Sequence, residues 1–169
     1  MEQQHDFLDS LAQWVADRLV GGARLLVCGN GGSAAEAQHF ATELLGRFGR
    51  DRQPLPAISL AANGSLLTCI GNDYAFDNLF ARQVRGLGRP GDLLVALSTS
   101  GRSANVTRAV ITAKEIGMRT LALLGKDGGR LAGIADREWI VPSACTARIQ
   151  EAHLFFIHLV CEYLDAMIA

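Results

Sequence analysis

No run of this sequence stays apolar for the roughly 18 to 20 residues that a membrane-crossing helix needs, so a membrane-spanning helix is excluded. Charge of one sign is also lacking: 16 Lys and Arg stand against 17 Asp and Glu, a formal net charge of −1. Without a basic excess there is no large footprint for a phosphate backbone, and nucleic acid is excluded as the main partner. No internal repeat and no low-complexity tract appears, which excludes solenoids and linker arrays. Cys-x-x-Cys pairing is absent as well. Cys28, Cys69, Cys145 and Cys161 are far apart and mostly among apolar neighbours. They read as buried free thiols in a reducing compartment, not as a metal or redox centre. Met1 to Asp6 are polar and acidic, unlike a secretory leader, so a cytoplasmic location is expected.

What is present is enough for one globular domain. The 169 residues are 49% hydrophobic and 20% charged, a mix that buries a sizeable core without disulfides or a structural metal. The 18 glycines cluster at a few points and mark turns. Between them, helical stripes alternate with short apolar runs. Helices are expected at 6–20, at 33 to about 48, at 76–87, at 103–116 and at 147–168, with a short turn or helix at 66–70 and a helical segment at 127–135. Strands are expected at Leu25–Cys28, Ala57–Leu60, Asp92–Leu97, Arg119–Leu124 and Glu138–Val141. Such alternation predicts an α/β fold: a three-layer, doubly wound domain, its five-stranded parallel sheet flanked by helices. Ligands of such sheets sit beyond the carboxyl ends of the strands, near the switch in strand order.

The loops at those ends therefore carry the search. After the first strand comes Gly29-Asn30-Gly31-Gly32-Ser33, which lets backbone approach a ligand and offers Ser33 as a helix N-cap. It is neither a Walker A loop nor a dinucleotide fingerprint, and a plain tight turn accounts for it equally. After the third strand comes Ser98-Thr99-Ser100-Gly101-Arg102-Ser103. Four hydroxyls, a glycine and a helix start converge there, the donor set that holds a phosphate without metal or lysine. With one such loop, a monoester suits the chain better than a nucleotide. His39 and Glu43 stand i, i+4 on one helix face, either as a solvated pair or as a shared ligand pair. His153 and His158 lie in an apolar stretch of the last helix, as core residues or as functional ones.

Gly29 to Ser33, His39 to Glu43, Gly71-Asn72-Asp73, Ser98 to Ser103, Gly125-Lys126-Asp127-Gly128-Gly129 and Arg148-Ile149-Gln150-Glu151 stand in that order. As a set they resemble the sedoheptulose-7-phosphate isomerases, or phosphoheptose isomerases, of the SIS fold. The resemblance runs from about residue 10 to the end and implies a single SIS domain over 1–169. It implies an aldose–ketose isomerase that converts sedoheptulose 7-phosphate to D-glycero-D-manno-heptose 7-phosphate, a step toward bacterial surface glycans such as lipopolysaccharide. A homotetramer with active sites at subunit interfaces, and a bound zinc, are further implications. Carried over by residue, Ser98, Thr99, Ser100 and Ser103 hold the phosphate. Asn30, Gly31, Gly32, Ser33, Asn72, Asp73 and Gln150 hold the rest of the sugar. Glu43 moves a proton between C1 and C2 through an enediol, and His158 is its acid partner. His39, Glu43, Gln150 and His158 match the family's zinc positions.

Elementary chemistry asks for these types. Proton abstraction beside a carbonyl needs a carboxylate, ideally raised towards neutrality by burial, and the enediolate oxygen needs a donor or Lewis acid. Gln150 and His158 are eight apart, roughly 12 Å along a helix, so they meet at one point only through a helix-entry geometry or through two subunits. Three departures from the family pattern stand out: a short N-terminus, Arg102 where asparagine is frequent, and Ala147 where some members carry an acid. Two other readings remain. One is a non-catalytic tetramer of this fold that binds the replication initiator DnaA, against which Glu43 and His158 both stand. The other is a phosphosugar-sensing module, for whose usual DNA-binding domain no length is left.

Overall fold

The computed structural model describes residues 2–168. Its sheet has five parallel strands, β1 Leu25–Cys28, β2 Ala57–Ser59, β3 Leu93–Ser98, β4 Arg119–Gly125 and β5 Arg137–Val141, in the order β2-β1-β3-β4-β5. The order reverses between β1 and β3, which places the crevice for a ligand at the ends of those two strands. Six helices cover the sheet: α1 Glu2–Val20, α2 Gly32–Leu45, α3 Gly64–Asp73, α4 Leu79–Leu87, α5 Ala104–Glu115 and α6 Thr146–Met167.

Alternate strand residues feed two cores, as a period of two requires. Leu25, Val27, Leu93, Val95, Leu121 and Leu123 pack with Leu19 of α1, Phe40 of α2 and Phe156 of α6. Leu26, Leu94, Ala96, Ala122 and Leu124 pack with Phe80 of α4 and Val106 and Val110 of α5. Each leucine removed fully from water contributes about 1.5–3 kcal/mol. The central strands β1 and β3, covered on both faces, read as nearly unbroken apolar runs, which is why they are legible in the sequence.

Several boundaries differ from expectation. Residues 127–135 form successive turns instead of a helix, because Gly128, Gly129 and Gly133 take φ of +76°, +56° and +77°. The 76–87 segment divides into a 3-10 turn, Phe76–Asn78, and α4. α2 stops at Leu45, where Gly46 N–H closes onto Thr42 O at 2.8 Å. The short 66–70 segment extends into α3, capped by Asn63 Oδ1, which accepts from Leu66 N–H at 3.0 Å. Of the cysteines, Cys28 and Cys161 are buried as expected, whereas Cys69 and Cys145 are exposed. Among the described residues no helix is long and apolar enough to cross a membrane.

Candidate active site

The loops after β1 and β3 meet at the switch point. Asn30 Nδ2 donates to Asn105 Oδ1 and Asn105 Nδ2 donates back to Asn30 Oδ1, both at 2.9 Å. Both ends of the Asn30 amide are thus committed to the first turn of α5. Gly31, at φ +57°, takes the N-cap position of α2. Ser33, expected there, lies instead inside the first turn and is 3% exposed, with its hydroxyl bonded to Glu36. A Cβ on Gly29 would lie 2.8 Å from the Ser33 Cβ, so only glycine permits this approach.

In the hydroxyl loop, Ser98 Oγ accepts from Gly101 N–H at 3.1 Å and stands 3.4 Å from Ser103 Oγ. Ser100 Oγ accepts from Arg102 N–H at 3.3 Å, and Thr99 is half-buried beside it. Ser103 occupies the N-cap position of α5 without a side-chain capping bond, so its hydroxyl and the helix start remain available to an anion. The loop interlocks with the one after β4. Gly101, at φ +60°, passes so close that a Cβ would lie 1.8 Å from Gly128 O. Arg102 turns outward onto Asp127, Nη2 to Oδ2 at 2.5 Å, with both side chains about 60% exposed.

The residues expected to act as acid and base lie on a different seam, between α2 and α6. Gly32, Glu36, His39 and Glu43 share one stripe of α2. His39 Nε2 stands 3.0 Å from His158 Nε2 and 3.4 Å from Glu43 Oε1. Phe48 packs on the His158 ring at a centroid distance of 5.5 Å. Three of the four expected ligand residues thus converge from segments 119 positions apart. Gln150 does not join them within the protomer. Its Nε2 lies 1.9 Å from where a Cβ on Gly32 would sit, at the start of α2 and about 10 Å along that helix from His39.

Two imidazoles and a carboxylate are the donor types that zinc takes. Among the described residues no three His, Cys, Asp or Glu side chains form a preformed metal cage. The trio stands as a hydrogen-bonded cluster whose Nε2 atoms would part by a few tenths of an ångström around an ion with bonds of about 2 Å. The residues fit the metal in chemistry, and Gln150 would complete the set only from another subunit or after movement.

Sequence reasoning missed Glu36. It is 9% exposed, its Oε2 has no partner, and burial raises its pKa to about 7 against the opposing Ser33 hydrogen bond. The stripe position next to His39 and Glu43 was the available signal. His153 takes the core role: its Nε2 bonds Leu124 O at 3.0 Å, and burial lowers its pKa. Asn72 and Asp73 end α3, both exposed, with Asn72 Nδ2 donating to Asp73 Oδ1 at 2.8 Å. They follow Gly71, which lines a cavity of about 510 Å³ together with Asn30 and Gly31.

A parallel sheet of this order, with a hydroxyl loop opening α5 at its switch point, defines a protein of the SIS class. The SIS domain family model matches residues 1–125. The phosphoheptose isomerase of Geobacter sulfurreducens is 54% identical over 156 residues, 92% of this chain and 82% of that one. That of Campylobacter concisus is 54% identical, covering 94% and 84%. Among solved structures, the phosphoheptose isomerase of Neisseria gonorrhoeae superposes with a TM-score of 0.86 at 48% identity, over 92% of this chain and 83% of that one. The Francisella tularensis enzyme gives 0.89 at 40%, over 94% and 85%. The chain belongs to the phosphoheptose isomerase family. The Vibrio vulnificus NanR protein complexed with ManNAc-6P, at 18% identity and a TM-score of 0.61 over 90% of this chain and 52% of that one, shares the fold alone.

Proposed function

We propose that this chain is an aldose–ketose isomerase that converts sedoheptulose 7-phosphate to D-glycero-D-manno-heptose 7-phosphate. Beyond its relatives, the observation that carries the reading is the cluster of His39, Glu43 and His158 on the α2/α6 seam. Ser98, Thr99, Ser100 and Ser103, with the N-terminus of α5, receive the phosphate dianion. Asn72 and Asp73 face the sugar hydroxyls, and Gly31 and Gly32 let the open chain lie against the α2 start. Glu43 takes the proton from the carbon beside the carbonyl, and His158 protonates the carbonyl oxygen. The resulting enediol collapses to the C1 aldehyde when Glu43 returns the proton to C2 and the neutral His158 takes the proton from the C1 hydroxyl. His39 faces both groups and fixes which imidazole nitrogen carries hydrogen. Zinc held by His39, Glu43 and His158, with Gln150, would supply Lewis-acid polarisation of the carbonyl oxygen.

A homotetramer with sites at subunit interfaces fits two observations. Gln150 stands apart from the other ligand residues in one protomer, and large apolar side chains remain uncovered, Phe155 at 54% and Phe76 at 60% exposure among them. The four unpaired thiols suit the cytoplasm, and the product suits the supply of heptose to surface glycans such as lipopolysaccharide. The alternative, a non-catalytic partner of DnaA, is not favoured: the acid–base set is intact and the relatives are isomerases.

The test is incubation of purified protein with sedoheptulose 7-phosphate and detection of the aldose. Glu43→Gln and His158→Ala are each expected to lower kcat by at least about 100-fold, with circular dichroism unchanged. Exhaustive chelation is expected to lower activity, and zinc to restore it. Wild-type turnover in either variant would end the assignment, and full activity without metal would end the zinc reading.

A further inference from the structure

Two carboxylate–guanidinium knots hold this fold, one before β1 and β3 and one where α2 and α6 end. At the amino ends, Asp92 takes Arg24 Nε at 3.1 Å and Arg89 N–H at 2.9 Å. The other knot lies on the seam that carries the acid–base cluster. The Arg52 side chain is 0% exposed. Its Nε donates to Asp165 Oδ1 at 3.0 Å, its Nη2 to Glu43 O at 3.0 Å and its Nη1 to Leu44 O at 3.2 Å. Asp165 Oδ2 accepts from Gly49 N–H at 2.9 Å and Arg50 N–H at 3.0 Å, and Arg50 Nη2 reaches the Asp165 carbonyl.

We propose that Arg52 and Asp165 are a positioning pair for the isomerase chemistry: they set the distance between Glu43 and His39 on α2 and His158 on α6. The proposal rests on the functional reading above. Glu43 O and Leu44 O are among the last carbonyls of α2, which have no partner within the helix. The guanidinium takes both, so the main chain of the residue assigned as base is itself held. Asp165 follows His158 by seven residues, two turns, and so lies on nearly the same face of α6. The knot therefore ties the end of α2 to α6 beside the point where the two Nε2 atoms stand 3.0 Å apart. At the other end of the seam, the Gln150 side chain approaches the Gly32 backbone at the start of α2. A contact between imidazoles on separate helices needs such a brace, since a misplacement of about 1 Å costs about 100-fold in rate.

The experiment compares three variants, each assayed well below its own melting temperature. Arg52→Lys keeps charge and removes the fork. Asp165→Asn keeps shape and turns an acceptor toward donors. Asp92→Asn breaks the other knot, which touches neither α2 nor α6. Both seam variants are expected to lower kcat about 10- to 100-fold while KM stays within about threefold, and to shift the Cε1–H resonances of His39 and His158. Asp92→Asn is expected to lower the melting temperature alone. Should Asp165→Asn not fold, Arg52→Lys decides. Folded seam variants with wild-type kcat and unmoved imidazole resonances overturn the proposal, as does an equal response in Asp92→Asn. A wild-type chain inert toward sedoheptulose 7-phosphate overturns the functional reading alone, and the imidazole resonances still decide the pair.

Discussion

At Glu36 the chain places a carboxyl where water scarcely reaches, with the Ser33 hydroxyl as its single aid and Oε2 unpartnered. Burial raises its pKa from 4.5 to about 7. Between those values the folded chain holds a proton there that the unfolded chain has released. The stability this confers is complete below about pH 4.5 and is lost as pH rises through about 7. Glu36→Gln mimics the neutral form. It is expected to match wild type near pH 4.5 and to exceed it at pH 8 by about 1–3 kcal/mol, as read from urea unfolding at both pH values. An equal offset at both would show that ionisation is not what the site penalises. Its place on the stripe of His39 and Glu43 was the one signal in the sequence, and a weak one, because a glutamate on a helix reads as solvated until its neighbours on the wheel, Ser33 and Phe40, are seen to be buried. His39, Glu43 and His158 were legible as residue types, whereas the ties of Arg52 to Asp165 and of Asn30 to Asn105 were not. Those partners lie 113 and 75 positions apart, and no local pattern pairs them.

Among elements, the central strands were legible because burial on both faces makes them almost wholly apolar, and β1 falls on the expected residues, Leu25–Cys28. The segment after β4 was misread, because Leu131, Ala132, Ile134 and Ala135 suggest a helix whereas Gly128, Gly129 and Gly133 take left-handed conformations. Those turns serve the hydroxyl loop. Gly101 and Gly129 run so close that a Cβ on Gly129 would lie 2.5 Å from Ser100 O, and Leu131 N–H donates to Gly101 O at 3.0 Å. The loop proposed to receive phosphate is therefore shaped by its neighbour's backbone as well as by its own serines. Gly101→Ala meets both a positive φ and a backbone oxygen that cannot step aside. It is expected to cost about 2 kcal/mol or more in stability and to raise KM for the phosphosugar more than it lowers kcat. Denaturant unfolding with steady-state kinetics checks both; a silent substitution would show that the two loops are not locked.

For the whole molecule the decisive relation is between Gln150 and His158. Ligands of one zinc ion lie within about 3.5 Å of each other, given bonds of about 2 Å. In one protomer Gln150 faces Gly32 and His158 faces His39, points about 10 Å apart along α2. Unless Gln150 moves, a single site that uses both draws them from different copies of the chain, and the proposed closed homo-oligomer supplies such junctions by symmetry. The consequence is complementation. Glu43→Gln chains lack the base but carry an intact Gln150, and Gln150→Ala chains the reverse. Each alone is expected to be inactive. Unfolded together in equal amounts and refolded, they are expected to regain about a quarter of wild-type activity, the share of junctions that draw both intact residues from a random mixture. Native mass spectrometry on the same sample would confirm mixed assemblies. If those assemblies form and stay inactive, each site belongs to one protomer, and Gln150 must reach His158 by movement within the chain.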